Sequence, residues 1–194
     1  MKLPADFDQP FIKIIEQAMQ KHRERTFLVF KGDAYTYGDV DKLSAQIANK
    51  LVSIGFEPGM KGAVYSQNSA ISFIAVIGIL RAGGVWIPVN PRNSAETNIE
   101  LITRLNCNIY FYQDAFSDAI EAVAGKTDPY LGAISLEEVS NTHPTLFDWI
   151  EGQSTESPGI YVSGDDLVAI PTTGGTTGVP KGVKIGRASC RERV

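Results

Sequence analysis

From Thr26 to Ile170, short apolar runs alternate with stretches of helical period. Strand-length runs occupy residues 27–30, 63–65, 85–89, 109–112 and 167–170. Parallel strands need a crossover of helix length between them, so this alternation predicts an α/β fold: a layered, substantially parallel sheet with flanking helices. Phe11, Ile12, Ile14, Ile15, Ala18 and Met19 share one face of a first helix. Residues 27–30 and 34–36, joined at Gly32-Asp33, read as a hairpin. Thr36 with Asp39 forms a capping box for a helix that places Val40, Leu43, Ile47 and Leu51 inward. Asp41, Lys42, Gln46 and Asn49 fall on its polar face, and Gly55 ends it. Asn68-Ser69 can cap a helix whose residues 71–80 are apolar nearly all round, which predicts burial. Ser94 caps the next, which carries Glu96 in its first turn and runs to Leu105. Residues 134–136 read as a strand and Leu146, Trp149 and Ile150 as a helical turn; residues 152–159 have the composition of an exposed loop.

The strand at 167–170 runs into Pro171-Thr172-Thr173-Gly174-Gly175-Thr176-Thr177-Gly178-Val179-Pro180-Lys181-Gly182-Val183. Glycines let backbone N–H groups approach an anion with no Cβ in the way, and successive N–H groups form a concave nest. Threonine hydroxyls add donors, and Lys181 adds a point charge. Such a stretch suits a polyphosphate; the same composition also makes an ordinary surface loop. The Walker pattern fails, because Pro180 and Gly182 flank the lysine. In a sheet of this class the stretch lies beyond a strand's carboxyl end, where ligands bind.

The formal net charge of -4 points away from nucleic acid and anionic membrane. An anionic ligand must therefore find local donors. Cys107 and Cys190 give neither a zinc pattern nor a disulfide framework, and read as inert thiols in a reducing compartment. The most apolar run, 71–89, contains Arg81, Gly83-Gly84 and Pro88, so it reads as a buried helix and strand rather than a transmembrane segment. A cytoplasmic location is the expectation. His22 stands among charges and Trp86 inside an apolar strand; these read as a surface histidine and a core aromatic.

The order of residues in Thr173-Gly174-Gly175-Thr176-Thr177-Gly178-Val179-Pro180-Lys181-Gly182 resembles the phosphate-binding signature of the adenylate-forming (AMP-binding) superfamily, which contains acyl-CoA synthetases, peptide-synthetase adenylation domains and luciferases. Gly174 stands where the family usually has Ser or Thr, which removes a hydroxyl but keeps the amide. Residues 35–40 and 80–91 resemble the first and second core motifs. The resemblance covers residues 11–183. It implies the N-terminal part of the family's large domain, incomplete, over residues 1–185. Residues 186–194 are basic and patternless and are expected to be a non-native, vector- or assembly-derived tail; the other reading is a genuine basic tail.

The resemblance further implies ATP-dependent activation of a small carboxylic acid to an acyl-adenylate, with Mg²⁺, and transfer to coenzyme A. Residues 88–93 look more like fatty or aromatic acyl-CoA synthetases than peptide-synthetase domains. Thr173, Gly174, Gly175, Thr176, Thr177, Gly178 and Lys181 are the implied ligands of the ATP phosphates. No catalytic residue is assigned, because the adenine- and ribose-binding segments and the catalytic lysine of the family have no counterpart in these residues. Two alternatives stand beside this reading: a catalytically incompetent piece that at most binds polyphosphate, and an adenylation domain that loads a carrier protein.

Overall fold

The computed structural model describes residues 10–172 and 182–186. Helix α1 (Phe11–Lys21) leads into a hairpin of β1 (Thr26–Phe30) and β2 (Asp33–Thr36), turned through positive φ at Lys31 and Gly32. Then follow α2 (Tyr37–Ser53), β3 (Lys61–Tyr65), α3 (Ala70–Arg81), β4 (Val85–Val89), α4 (Ala95–Leu105), β5 (Ile109–Tyr112), α5 (Ser117–Glu121), β6 (Gly132–Ser135), α6 (Leu146–Trp149), β7 (Leu167–Ala169) and β8 (Ile185–Gly186). The expected caps are present. Thr36 and Asp39 make a reciprocal capping box on α2, Ser69 and Ser72 make one on α3, and the Ser94 side chain accepts from Thr97 N on α4. Asn106, in the left-handed region at φ 52, closes α4.

Strands β3 to β8 form one six-stranded sheet in the order β6-β5-β3-β4-β7-β8. All neighbouring pairs are parallel except β7–β8. The sheet is therefore parallel with one antiparallel edge. Strands β3, β4 and β5 are almost wholly buried and alternate between two cores. Val64, Phe111 and Ile134 pack with α2 and α3 on one face; Ala63, Ile87, Tyr110 and Tyr112 pack with α4 and α5 on the other. From β3 the chain crosses by α3 to β4; from β4 it crosses back by α4 to β5, on the far side of β3. The chain thus reverses its winding between β3 and β4, and the carboxyl ends of those two strands part around a crevice.

Helix α3 is nearly all buried, as its uniform apolarity predicts, and it lies against α2. Gly78 permits that approach: a Cβ there would sit 2.4 Å from Ile47 Cγ2 and 2.6 Å from Ile47 Cβ. Phe73 departs from the expectation, being 47% exposed.

The polar face assigned to α2 needs a correction. Asp41 is buried, because Arg81 at the end of α3 reaches it. Arg81 Nη1 donates to Asp41 O at 2.7 Å, to Asp41 Oδ1 at 2.9 Å and to Ser44 Oγ at 2.9 Å. Arg23 meets Asp41 Oδ2 at 3.0 Å. Arg81 Nε lies 3.2 Å from Glu16 Oε1, an ion pair not aligned as a hydrogen bond. Glu16 also receives Lys13 Nζ at 2.8 Å and Ser157 Oγ at 2.7 Å. Burial pushes the Glu16 carboxyl up, but these donors and the Arg81 charge outweigh it and leave it below its ordinary 4.5. The loop at 152–159 is likewise tied down: Asn49 Nδ2 donates to Ser154 O and Glu156 O at 3.0 and 2.7 Å.

Cys107 is buried, and burial pushes its thiol up to about 12, which fits an inert role; Cys190 lies outside the described residues. His143, which no local pattern marks, is 2.8 Å from Tyr112 Oη through Nδ1 and 3.4 Å from Glu121 Oε1 through Nε2. It ties the chain beyond β6 to the end of β5 and to α5.

Candidate functional site

The crevice at the carboxyl ends of β3 and β4 is an open cleft of about 850 Å³. Its floor is apolar: Val64, Phe73, Val76, Trp86 and Pro88 line it. Those residues come together because β3 and β4 lie in register, with Val64 opposite Pro88, and α3 runs over the same face. Trp86 packs on the core as expected, yet it is only half-buried and also lines the cleft. Its Nε1 is closed to solvent and has no hydrogen-bond partner among the described residues.

The two lips are polar. One is the β3–α3 turn, Ser66 to Ser69; the other is the β4–α4 turn, through Asn90, Pro91, Asn93 and Ser94. Each is held from behind by a carboxamide. Gln113, just past β5, accepts from Gln67 N at 2.7 Å. Asn98, fully buried in α4, donates to Asn90 O at 2.9 Å and accepts from Asn93 Nδ2 at 3.1 Å. Sequence reasoning missed Asn98 and Gln113. Each is a single amide with no local pattern, and its role exists only once β5 and α4 flank β3 and β4.

The chemistry of the lining is neutral. Among the described residues that line the cleft, none is charged; hydroxyls and carboxamides supply every polar side chain. Ser69 and Ser72 spend their hydroxyls on the α3 cap. Arg92 stands outside, in a polar annex shared with Gln67, Asn68 and Asn90. No group of three or more His, Cys, Asp or Glu among the described residues is arranged to hold a metal.

Pro171 and Thr172 close one end of the cleft. Strand β7 delivers them there: Ala169 pairs with Trp86, and Ile170 N donates to Trp86 O at 3.0 Å. Thr172 forms an antiparallel bridge with Gly182, and Val183 N donates to Pro171 O at 2.8 Å. The residues on either side of the glycine- and threonine-rich stretch are thus neighbours at the cleft's edge. The phosphate-ligand candidates Thr173, Gly174, Gly175, Thr176, Thr177, Gly178 and Lys181 lie outside the described residues.

Comparison with known proteins places this arrangement. The solved structure of an anthranilate CoA ligase, AuaEII, in complex with anthranoyl-AMP superposes with a TM-score of 0.85, at 20% identity over 96% of this chain and 36% of that one. At that identity the likeness is one of fold. Surfactin synthase subunit 1 of Bacillus subtilis is 28% identical over 94% of this chain, and 4-coumarate–CoA ligase 1 of Petroselinum crispum is 25% identical over 79% of it. The chain spans 5% and 28% of the lengths of those two proteins. With residues 15–191 matching the family described as AMP-binding enzyme, on an α/β fold shared with adenylate-forming ligases, the chain belongs to the AMP-binding enzyme family.

Proposed function

We propose that the chain carries the phosphate-gripping side of an adenylate-forming acid ligase. In this reading the amides and hydroxyls of Thr173, Gly174, Gly175, Thr176, Thr177 and Gly178, with Lys181, hold the β- and γ-phosphates of Mg-ATP. A carboxylate oxygen then attacks the α-phosphorus. The bond to the bridging oxygen breaks, pyrophosphate leaves with the electron pair, and an acyl-adenylate remains. The barrier is one of charge, an anion attacking an anion. Oriented donors and the ion that accompanies ATP lower it, and one such donor contributes on the order of 3 kcal/mol. Coenzyme A is the proposed acceptor, its thiol displacing AMP from the acyl carbon; the relatives include both CoA ligases and peptide synthetases.

The Thr172–Gly182 bridge beside the switch-point cleft carries the reading. The stretch with the composition of a phosphate nest begins and returns where this class of sheet binds ligands. A second reading, polyphosphate binding without turnover, rests on the same bridge: among the described residues that line the cleft, hydroxyls and carboxamides are present and no charged side chain.

Two measurements test this. Mg-ATP at about 100 times its dissociation constant adds roughly 2.7 kcal/mol of stability, a measurable rise in Tm. Lys181→Ala is expected to lose most of that rise; an equal rise in the variant removes Lys181 from the site. With Mg-ATP, a panel of carboxylic acids and coenzyme A, release of AMP and pyrophosphate supports the ligase reading, and a Tm rise without release supports the second.

A further inference from the structure

Thr172 and Gly182 meet across an antiparallel bridge, with the buried Ile170 beside them. We infer that Ile170, backed by Leu105, is a positioning residue for nucleotide binding: it locks the register in which the chain returns at Gly182. The binding half of this statement rests on the ligase reading above; the register half stands without it.

Three observations carry it. First, one register runs through both ends. Ala169 pairs with Ile185, and Thr172, three residues on, bridges Gly182, three residues back. Between those pairs Val183 N donates to Pro171 O at 2.8 Å. The irregularity in the β7–β8 pair lies earlier, between Leu167 and Ala169. In this register Ile170 stands opposite Lys184, and position 182 is its diagonal neighbour on the same face. Second, the space beside Ile170 admits no side chain at 182. A Cβ on Gly182 would sit 2.8 Å from Ile170 Cγ2 and 3.4 Å from Leu105 Cδ2. Cγ2 belongs to a β-branched residue, so it does not swing aside as a flexible tip would. Third, Ile170 is itself fixed. It is 5% exposed, belongs to the core under α4, and its N donates to Trp86 O at 3.0 Å. A slip by two residues would bring Pro180 or Lys184 over the methyl, and a slip by one would turn the other face inward. Glycine alone fits there, so the span between the two ends is held at residues 173–181.

Gly182→Ala tests the lock by two readouts: hydrogen exchange of the Val183 amide, and Mg-ATP affinity by calorimetry at a temperature where each variant is folded. Expected are exchange faster by about tenfold and Mg-ATP binding weaker by about tenfold. Adding Ile170→Ala removes the opposing methyl and is expected to restore most of both. Two independent packing defects would add instead. Two single substitutions test the methyl without disturbing Gly182. Ile170→Val keeps Cγ2 and is expected to change Mg-ATP affinity by under about twofold; Ile170→Leu keeps the volume, moves the branch, and is expected to weaken it about fivefold. Unchanged Val183 exchange in Gly182→Ala, no recovery in the double variant, or equal effects of Val and Leu overturns the inference. Mg-ATP binding alike in every variant, with Val183 exchange altered, overturns it too and leaves the nucleotide reading standing. No Mg-ATP binding by the unsubstituted chain, with the exchange pattern as expected, removes the nucleotide reading and leaves the register lock.

Discussion

Buried polar side chains do two separate jobs in this molecule. Arg81 and Asp41 hold helices together, whereas Asn98 holds the lip of a cleft. Arg81 has a side-chain exposure of 3%; its Nη1 donates to Asp41 and Ser44, and its Nε forms an ion pair with Glu16. Removing one partner leaves a buried guanidinium short of charge, so Asp41→Ala is expected to cost about 3 kcal/mol or more, read as a fall in the urea midpoint. Neither Asp41 nor Arg81 stands out in sequence: one sits on an otherwise polar face and the other looks like a helix-ending base. Asn98→Ala leaves the Asn90 carbonyl and the Asn93 amide without their partner, which costs about 1–3 kcal/mol. An equal urea midpoint in wild type and Asn98→Ala would show that the lip does not need this brace.

Helix α3 joins the core to the site. Its first turn forms one lip's end, its middle covers the sheet, and its last residue anchors α2. Its seating depends on Gly78, where a side chain would meet the branched Cβ of Ile47 rather than a flexible tip. Gly78→Ala therefore sets two effects against each other. Helix propensity gains about 1 kcal/mol, and overpacking loses about 1–3 kcal/mol. The close contacts at 2.4 and 2.6 Å decide for overpacking, and net destabilisation is expected in thermal melts. A stabilised variant would mean that α2 and α3 can move apart freely. Element identity was legible where local chemistry is strong: the caps at Thr36, Ser94 and the Asn68-Ser69 pair, and the strands at β3, β4, β5 and β7, follow from it, whereas β8 does not. Residues 152–159 were legible as a loop, but their attachment to α2 through Asn49 was not, since it joins residues about a hundred apart in sequence.

For the molecule as a whole, acid is the expected lever on stability. Glu16 and Asp39 both lie below their ordinary values in the folded state: Glu16 through Lys13, Ser157 and Arg81 acting against burial, Asp39 through hydrogen bonds from the Thr36 side chain and backbone. A depressed carboxyl binds its proton more readily in the unfolded chain. Its contribution is therefore complete above the unfolded values, 4.5 and 3.8, and is lost as pH falls through the lower folded ones. The urea midpoint is expected to fall below about pH 4.5, and Glu16→Gln to flatten that fall while starting lower at neutral pH. Among the described residues no helix is long and apolar enough to cross a membrane.

Alternating periods, caps and turn glycines are local, so the chain's own order sufficed to specify an α/β sheet, its elements and the family signature near its end. Strand order is not local. Nothing in the residues of β5 says that it lies on the far side of β3 from β4, and that exchange alone opens the cleft. The neutral lining, the half-open Phe73, the braces at Asn98 and Gln113 and the buried Arg81–Asp41 pair all follow from it or from helix packing. Each needs groups distant in sequence to meet at hydrogen-bond or van der Waals range, and only the folded chain brings them there.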